Sequence, residues 1–248
     1  VSGRSEKELA IAHREVLLER LHRDGFFIVP SVIDGAAVES LLDSLEAIED
    51  HSAVREKAGS AYAVRILCKL APRVRELSRS IAIRSLVEPV LGESARVVRS
   101  LLFDKTPTAN WKVPWHQDLT IAVRRRHDAA GFGPWSVKAG VTHVQPPSRV
   151  LEEMLTVRLH LDDCMIGNGP LRVLPGSHRL GVIKSESIPE IRRRIPEVAC
   201  TLSRGDALLM RPLLLHASSP AATPAHRRVV HLEFAAGDLP GGMEWHES

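Results

Sequence analysis

From Ala95 onward, apolar-rich runs of roughly four to eight residues are divided by clusters of Gly, Pro, Asn and Asp. Punctuation of this kind restricts a chain to short strands arranged as a sandwich or barrel. The clearest runs are Val97–Lys105, Leu155–Leu161, Leu171–Leu174, Asp206–Arg211 and Arg228–Phe234. Upstream the period changes. Leu9, Val16, Leu17 and Leu21 fall at helical spacing between Glu6 and Arg23, ahead of Gly25, which suits a left-handed C-terminal cap. Phe26 to Val29 reads as a short buried strand stopped by Pro30. Asp34 is placed to cap a second helix whose Val38, Leu41, Leu42, Leu45 and Ile48 form one apolar stripe. A third helical segment opens at Pro72, with an interruption from Pro89 to Gly92. The expected architecture is mainly β with α: residues 1–94 are mostly helical support, and residues 95–236 form a double-sheet, jelly-roll β-barrel core.

With 248 residues, 44% hydrophobic and 25% charged, the chain has the size and balance of one globular domain, 1–248, and no linker or internal repeat divides it. No apolar stretch is long enough to cross a bilayer, and residues 1–20 carry charges where a secretory signal needs an apolar run, so a cytoplasmic location and no membrane partner are expected. Cys68, Cys164 and Cys200 are far apart and lack Cys-x-x-Cys spacing, which argues against a disulfide framework and a thiolate zinc site. The formal charge is only +3. The runs Arg124–Arg126 and Arg192–Arg194 have no interleaved aromatics to stack bases, so they read as solvated faces and no nucleic-acid partner is expected. Oligomeric state is open at this level.

Chemistry concentrates in Trp115-His116-Gln117-Asp118, because residues two apart on an extended backbone point to the same side. An imidazole and a carboxylate can then meet one ion. His216 closes the apolar run Leu213-Leu214-Leu215, where a polar ring needs a reason to be present. Two histidines and one carboxylate on one face leave other coordination positions open, as non-haem iron(II) oxygenases require. A lone His-x-Asp is common, and among 12 histidines chance pairings arise, so these residues gain meaning from their surroundings.

Those surroundings are Asn168-Gly169-Pro170-Leu171 running on to Leu174-Pro175-Gly176-Ser177-His178, then Gly205-Asp206-Ala207-Leu208-Leu209, then His216-Ala217-Ser218, then Arg227. In this order, from Phe26 to Phe234, the chain resembles the phytanoyl-CoA dioxygenase family, iron(II)/2-oxoglutarate enzymes built on a cupin-like double-stranded β-helix. The resemblance implies that His116, Asp118 and His216 form the catalytic iron centre, that Arg227 grips the far carboxylate of 2-oxoglutarate, and that Ser218 helps to hold this cosubstrate. Arg65 falls, more loosely, where relatives carry a basic residue near it. The implied cofactor and cosubstrates are Fe(II), 2-oxoglutarate and O2, and the implied reaction is hydroxylation of a small organic molecule with release of succinate and CO2. Asp118 favours hydroxylation over halogenation, since related halogenases place a small residue there.

Arg228 adjoins Arg227 and on a strand points the other way, unless a one-residue bulge exchanges them. In Leu155–Leu161 the odd positions are apolar and the even ones polar. Arg158 therefore faces either an interior anion of cosubstrate or substrate, or solvent. Lys105, Trp111 and Trp135 read as packing or surface residues, with a place at the substrate entrance as the alternative. His178 reads as part of a turn, Asp162 and Asp163 as turn formers, and Gly167-Asn168-Gly169 lacks the Lys and helix start of a phosphate loop. The span Thr120–Val150 is the candidate substrate determinant, with acyl thioesters, amino acids and secondary metabolites all open. Two rival readings share the same residues: a zinc-dependent hydrolase, and a non-catalytic 2-oxoglutarate- or metabolite-binding protein.

Overall fold

The structure is a computed structural model that describes residues 6–48, 54–57 and 60–247, with side chains described over 14–48 and 63–247. Helix α1 (Glu6–Arg23) ends before Gly25, whose φ of +82° the left-handed turn requires. Leu17 and Leu21 are buried, but Val16 faces solvent, so the buried stripe is narrower than its spacing predicts; Leu9 lies outside the described side chains. Strand β1 (Phe26–Val29) follows, then α2 (Gly35–Glu46), whose first turn is capped by Asp34 accepting the Ala37 N–H at 2.8 Å. Next come β2 (Val54–Lys57), β3 (Ser60–Arg65), α3 (Leu67–Leu70), α4 (Pro72–Ser78) and α5 (Ile81–Leu91). The β2–β3 pair was not expected in the helical third. The helical break also falls elsewhere than expected, at Arg79 and Ser80, where Ser80 is extended; Pro89 stays inside α5, close enough to its end to disturb little.

The remaining elements are β4 (Arg96–Lys105), β5 (Val113–His116), β6 (Ile121–Val123), β7 (Trp135–Lys138), β8 (Val141–Val144), α6 (Ser148–Glu152), β9 (Met154–His160), β10 (Leu171–Val173), α7 (Ile188–Arg194), β11 (Val198–Cys200), β12 (Ala207–Met210), β13 (His216–Ser218) and β14 (Arg227–Ala235). They form a seven-stranded sheet in the order β1-β12-β9-β14-β4-β3-β2, a four-stranded sheet β11-β10-β13-β5, and a three-stranded sheet β6-β8-β7. Every pairing is antiparallel.

One face of the large sheet presents Leu155, Val157, Leu159, Val230, Leu232 and Phe234 to the helices, in one core with Leu17, Leu21, Val38 and Ile83. Burying each such side chain contributes roughly 1.5–3 kcal/mol, which fastens the helical layer to the sheet. The other face looks across a cavity at the four-stranded sheet. The jelly-roll expectation holds in its antiparallel two-sheet form, but the barrel does not close. The edge strands of the four-stranded sheet, β11 and β5, make no ladder with the large sheet. The cavity lies between the two sheets and is lined by residues of both. Among the described residues no helix is long and apolar enough to cross a membrane, and all three cysteines are free and buried.

Candidate metal centre and its cavity

His116 and His216 are direct partners across the β5–β13 ladder, so the pairing register alone brings two rings from distant parts of the chain together. Their centroids lie 4.2 Å apart. Each ring is oriented by its own strand: His116 Nδ1 bonds the Pro114 carbonyl and His216 Nδ1 the Leu214 carbonyl, both at 2.9 Å. With Nδ1 as the donor in each case, both Nε2 atoms are left as acceptors. They face opposite oxygens of Asp118, at 3.8 Å from His116 and 3.7 Å from His216. The three ligand atoms lie within 4.8 Å of one another, the one such group among the described residues.

The Asp118 segment is anchored from behind. Asp118 N–H donates to the Pro212 carbonyl at 2.9 Å. Gln117, pointing the other way, donates to the Gly181 and Leu213 carbonyls and accepts from the Ile183 N–H. Ser177, in the Pro-Gly-Ser-His turn, accepts the Leu215 N–H beside His216, while His178 turns away to the His22 carbonyl, as its turn reading requires. Burial works against the Asp118 carboxylate, yet His216, His231, His116 and Arg99 hold it down at about 2. Burial brings His216 to about 4, partly opposed by Asp118, so at neutral pH its Nε2 carries a lone pair and not a proton.

The cavity measures about 190 Å³ and is lined by residues of both sheets. Register defines the large sheet's contribution: Arg227 beside Lys105, then Val229 between His160 and Phe103, then His231 between Arg158 and Leu101, then Glu233 between Thr156 and Arg99. Arg227 faces inward and its Nη1 donates to the Gly169 carbonyl, while its buried Nε has no partner. Arg228 faces outward in a two-bond fork with Asp162, at 2.9 and 2.7 Å. The only register shift on that ladder comes at Glu233/Phe234, beyond both arginines, so no bulge exchanges them. Arg158, with His160, turns into the cavity and not to solvent, and Thr156 on the same face of the strand is buried. Ser218 lines the cavity too, whereas Arg65, paired with Leu101 in the neighbouring strand, is not among its lining residues.

Lys105 is an interior residue and not a surface one. It is fully buried, with Nζ donating to Ser218 Oγ at 2.6 Å and to the Ser219 carbonyl. Burial, with the positive charges of Arg227 and Arg158, lowers it to about 7. Trp111 lines the cavity beneath the Lys105 ammonium, and Trp135 packs away from it with the three-stranded sheet.

A polar chain along the same wall escaped sequence reading. Arg158 Nη1 donates to His231 Nδ1 at 2.8 Å, which places the His231 proton on Nε2, facing Glu233 Oε1 at 3.2 Å. Arg99 Nη1 donates to that same oxygen at 2.9 Å. The available signal was spacing, since Arg227, His231 and Glu233 share one parity on β14, as do Arg99 and Lys105 on β4.

Two preset imidazoles and a carboxylate suit a divalent first-row ion that keeps open positions, and the unpartnered Arg227 Nε beside Lys105 suits a carboxylate. Fold and donor set together define a non-haem iron oxygenase of the jelly-roll type. The chain belongs to the phytanoyl-CoA dioxygenase (PhyH) family, which matches residues 21–229. It is thus a 2-oxoglutarate-dependent dioxygenase whose cofactor and cosubstrates are Fe(II), 2-oxoglutarate and O2. An ectoine dioxygenase of Nocardia farcinica (strain IFM 10152) is 25% identical over 247 residues, covering 88% of this chain and 76% of its own. An L-proline trans-4-hydroxylase of Streptomyces griseoviridis is 27% identical over 244 residues, covering 86% and 82%. Among solved structures, EctD from S. alaskensis with 2-oxoglutarate and 5-hydroxyectoine superposes with a TM-score of 0.71 at 20% identity, over 95% of this chain and 80% of that one. AviO1 from Streptomyces viridochromogenes does so with a TM-score of 0.66 at 23% identity, over 92% and 98%. At these identities the structural likeness shows the fold.

Proposed function

We propose that the enzyme hydroxylates a small organic molecule, coupling this to conversion of 2-oxoglutarate to succinate and CO2, with His116, Asp118 and His216 as the iron ligands. The observation that carries the reading is the convergence of these three groups in one cavity that also holds the inward-facing Arg227. Iron(II), once bound, supplies dioxygen activation and the oxidising power for attack on an unactivated C–H bond.

The protein's own part is placement. His116 and His216 present Nε2, and Asp118 an ionised carboxylate, so the metal is met with little competition from protons at Asp118 and His216. Arg227 receives the far carboxylate of the keto acid through charge-assisted bonds, with Ser218 beside it in the cavity wall and Lys105 behind Ser218. Arg158 lends a second positive charge to the same cavity wall, and Leu101, Phe103, Val113 and Val229 keep water from the reacting centre. Arg65 remains a more distant contributor of positive charge from the neighbouring strand. The relatives named for ectoine and L-proline, both compact molecules, support a small substrate.

The test has two steps. Anaerobic addition of 2-oxoglutarate to the iron(II) protein is expected to give a visible charge-transfer band, absent from Asp118→Ala. Small-molecule pools are then screened in air for succinate release and for a product gaining one oxygen atom. A wild-type protein that never forms the band, and cleaves esters or amides with zinc instead, would rule the oxygenase reading out.

A further inference from the structure

The Arg99–Glu233 pair lies at the end of the cavity wall away from the cosubstrate groups. Arg227 and Glu233 are six residues apart on β14, about 20 Å of extended strand and well beyond the reach of a five-carbon keto acid. The pair is instead on the side of the metal centre, since Arg99 Nη1 reaches the carbonyl of Thr120, two residues past Asp118, at 3.5 Å, and both side chains line the cavity together with His116, Asp118 and His216. Its side chains are only 14% and 5% exposed, and both line the cavity.

Neither partner's hydrogen-bonding capacity is filled. Glu233 Oε1 accepts from both His231 and Arg99, while Oε2 accepts no hydrogen bond among the described residues. Arg99 uses Nη1 alone, on Glu233 and, at 3.5 Å, on the Thr120 carbonyl; its Nε and Nη2 donate to nothing described. A buried ion pair contributes little net stability, so half-used valences that open on a cavity call for a ligand. Charge indicates its nature. With the keto acid dianion set against the metal dication, the walls retain Arg99, Arg158 and Arg227 against Asp118 and Glu233, a positive surplus. Volume limits its size, since about 190 Å³ is below the roughly 300–1,000 Å³ of most ligand pockets and must also admit the keto acid.

Building on the oxygenase reading above, we propose that the primary substrate is a small carboxylic acid with a hydrogen-bond donor beside the carboxylate, a 2-amino or 2-hydroxy acid. Its carboxylate meets the open N–H groups of Arg99, and its ammonium or hydroxyl group meets Glu233 Oε2. Glu233 is fixed for this task by His231, whose orientation is in turn held by Arg158.

The test uses the full chain loaded anaerobically with iron(II) and 2-oxoglutarate. Proteinogenic L-amino acids, lactate, malate and the methyl ester of each are titrated one at a time, with perturbation of the charge-transfer band and calorimetric affinity as readouts. At least one free acid is expected to bind, and its methyl ester at least about tenfold more weakly, a difference of about 1.4 kcal/mol. Glu233→Gln is expected to weaken an amino acid about tenfold and a hydroxy acid less, and Arg99→Lys to weaken both. If the band forms but no acid binds up to about 10 mM, or esters bind as well as acids, the inference is overturned while the oxygenase reading stands. If the band never forms, both fall. The wild-type acid-to-ester comparison decides the matter even where a variant fails to fold.

Discussion

The peptide bond between Arg227 and Arg228 joins two guanidinium groups on opposite sides of one sheet. Arg227 is buried facing the cavity, so Arg227→Ala should raise the half-saturating 2-oxoglutarate concentration about 10- to 100-fold, the scale of one lost charge-assisted contact, with little change in iron requirement. Arg228→Ala loses a partly exposed fork with Asp162, so it should cost about 1 kcal/mol of stability or less and leave the cosubstrate titration unchanged. Equal effects in steady-state titrations of the two variants would count against this assignment. Lys105 supplies a pH signature. Its folded value of about 7 lies below its ordinary 10.5, so above pH 7 the unfolded chain binds more protons than the folded one. Its penalty is therefore full below pH 7 and fades as pH rises from about 7 towards 10.5, so stability on this account increases with pH. Lys105→Met lacks that rise, and the wild-type minus variant melting temperature of the metal-free protein should grow more positive from pH 6.5 to 9. A flat difference would mean that the ammonium group is not desolvated. Strand parity made Arg227 readable from the chain. Lys105 was not, because nothing in a sequence distinguishes a surface lysine at a strand end from one whose buried ammonium meets Ser218 of the facing sheet.

Among the elements, β9 was the most legible, since its odd residues are apolar and turn to the helices while Arg158 and His160 turn to the cavity. The short strands were harder to read. β5 and β13 have only four and three residues, too few to show a period, and β6 to β8 arise inside a stretch rich in turn formers. The convergence of His116, Asp118 and His216 could nonetheless be anticipated, because their surrounding motifs are longer than the strands that carry them. Between β9 and β10 the chain passes Gly169 at φ +60°, where an added Cβ would lie 2.5 Å from the Ser219 carbonyl oxygen. Its own carbonyl receives Arg227 Nη1, and Ser219 also receives Lys105. Gly169→Ala should therefore cost about 1–3 kcal/mol in denaturant unfolding and also weaken 2-oxoglutarate binding in calorimetry. Loss of stability without loss of binding would show that this turn does not position the two cations.

On the scale of the molecule, the helical layer and the large sheet share one core, so neither buries its apolar face without the other. A single cooperative thermal transition is expected, and two separated transitions would show that residues 1–94 fold as a unit of their own. A divalent metal alone at about 100 times its dissociation constant should add about 2.7 kcal/mol, raising the melting temperature by roughly 5–10 °C for a chain of this size, and the keto acid should raise it further. An unchanged melting temperature would mean that the cavity does not take them up. The Nδ1 bonds of His116 and His216 have a further effect, since each ring is aimed by its own backbone before any metal arrives. A cradle preset in this way offers the same donors to any divalent ion. Cobalt, nickel, copper and zinc bind such donors more tightly than ferrous iron does, so added zinc is expected to compete with iron for His116, Asp118 and His216 and to suppress turnover.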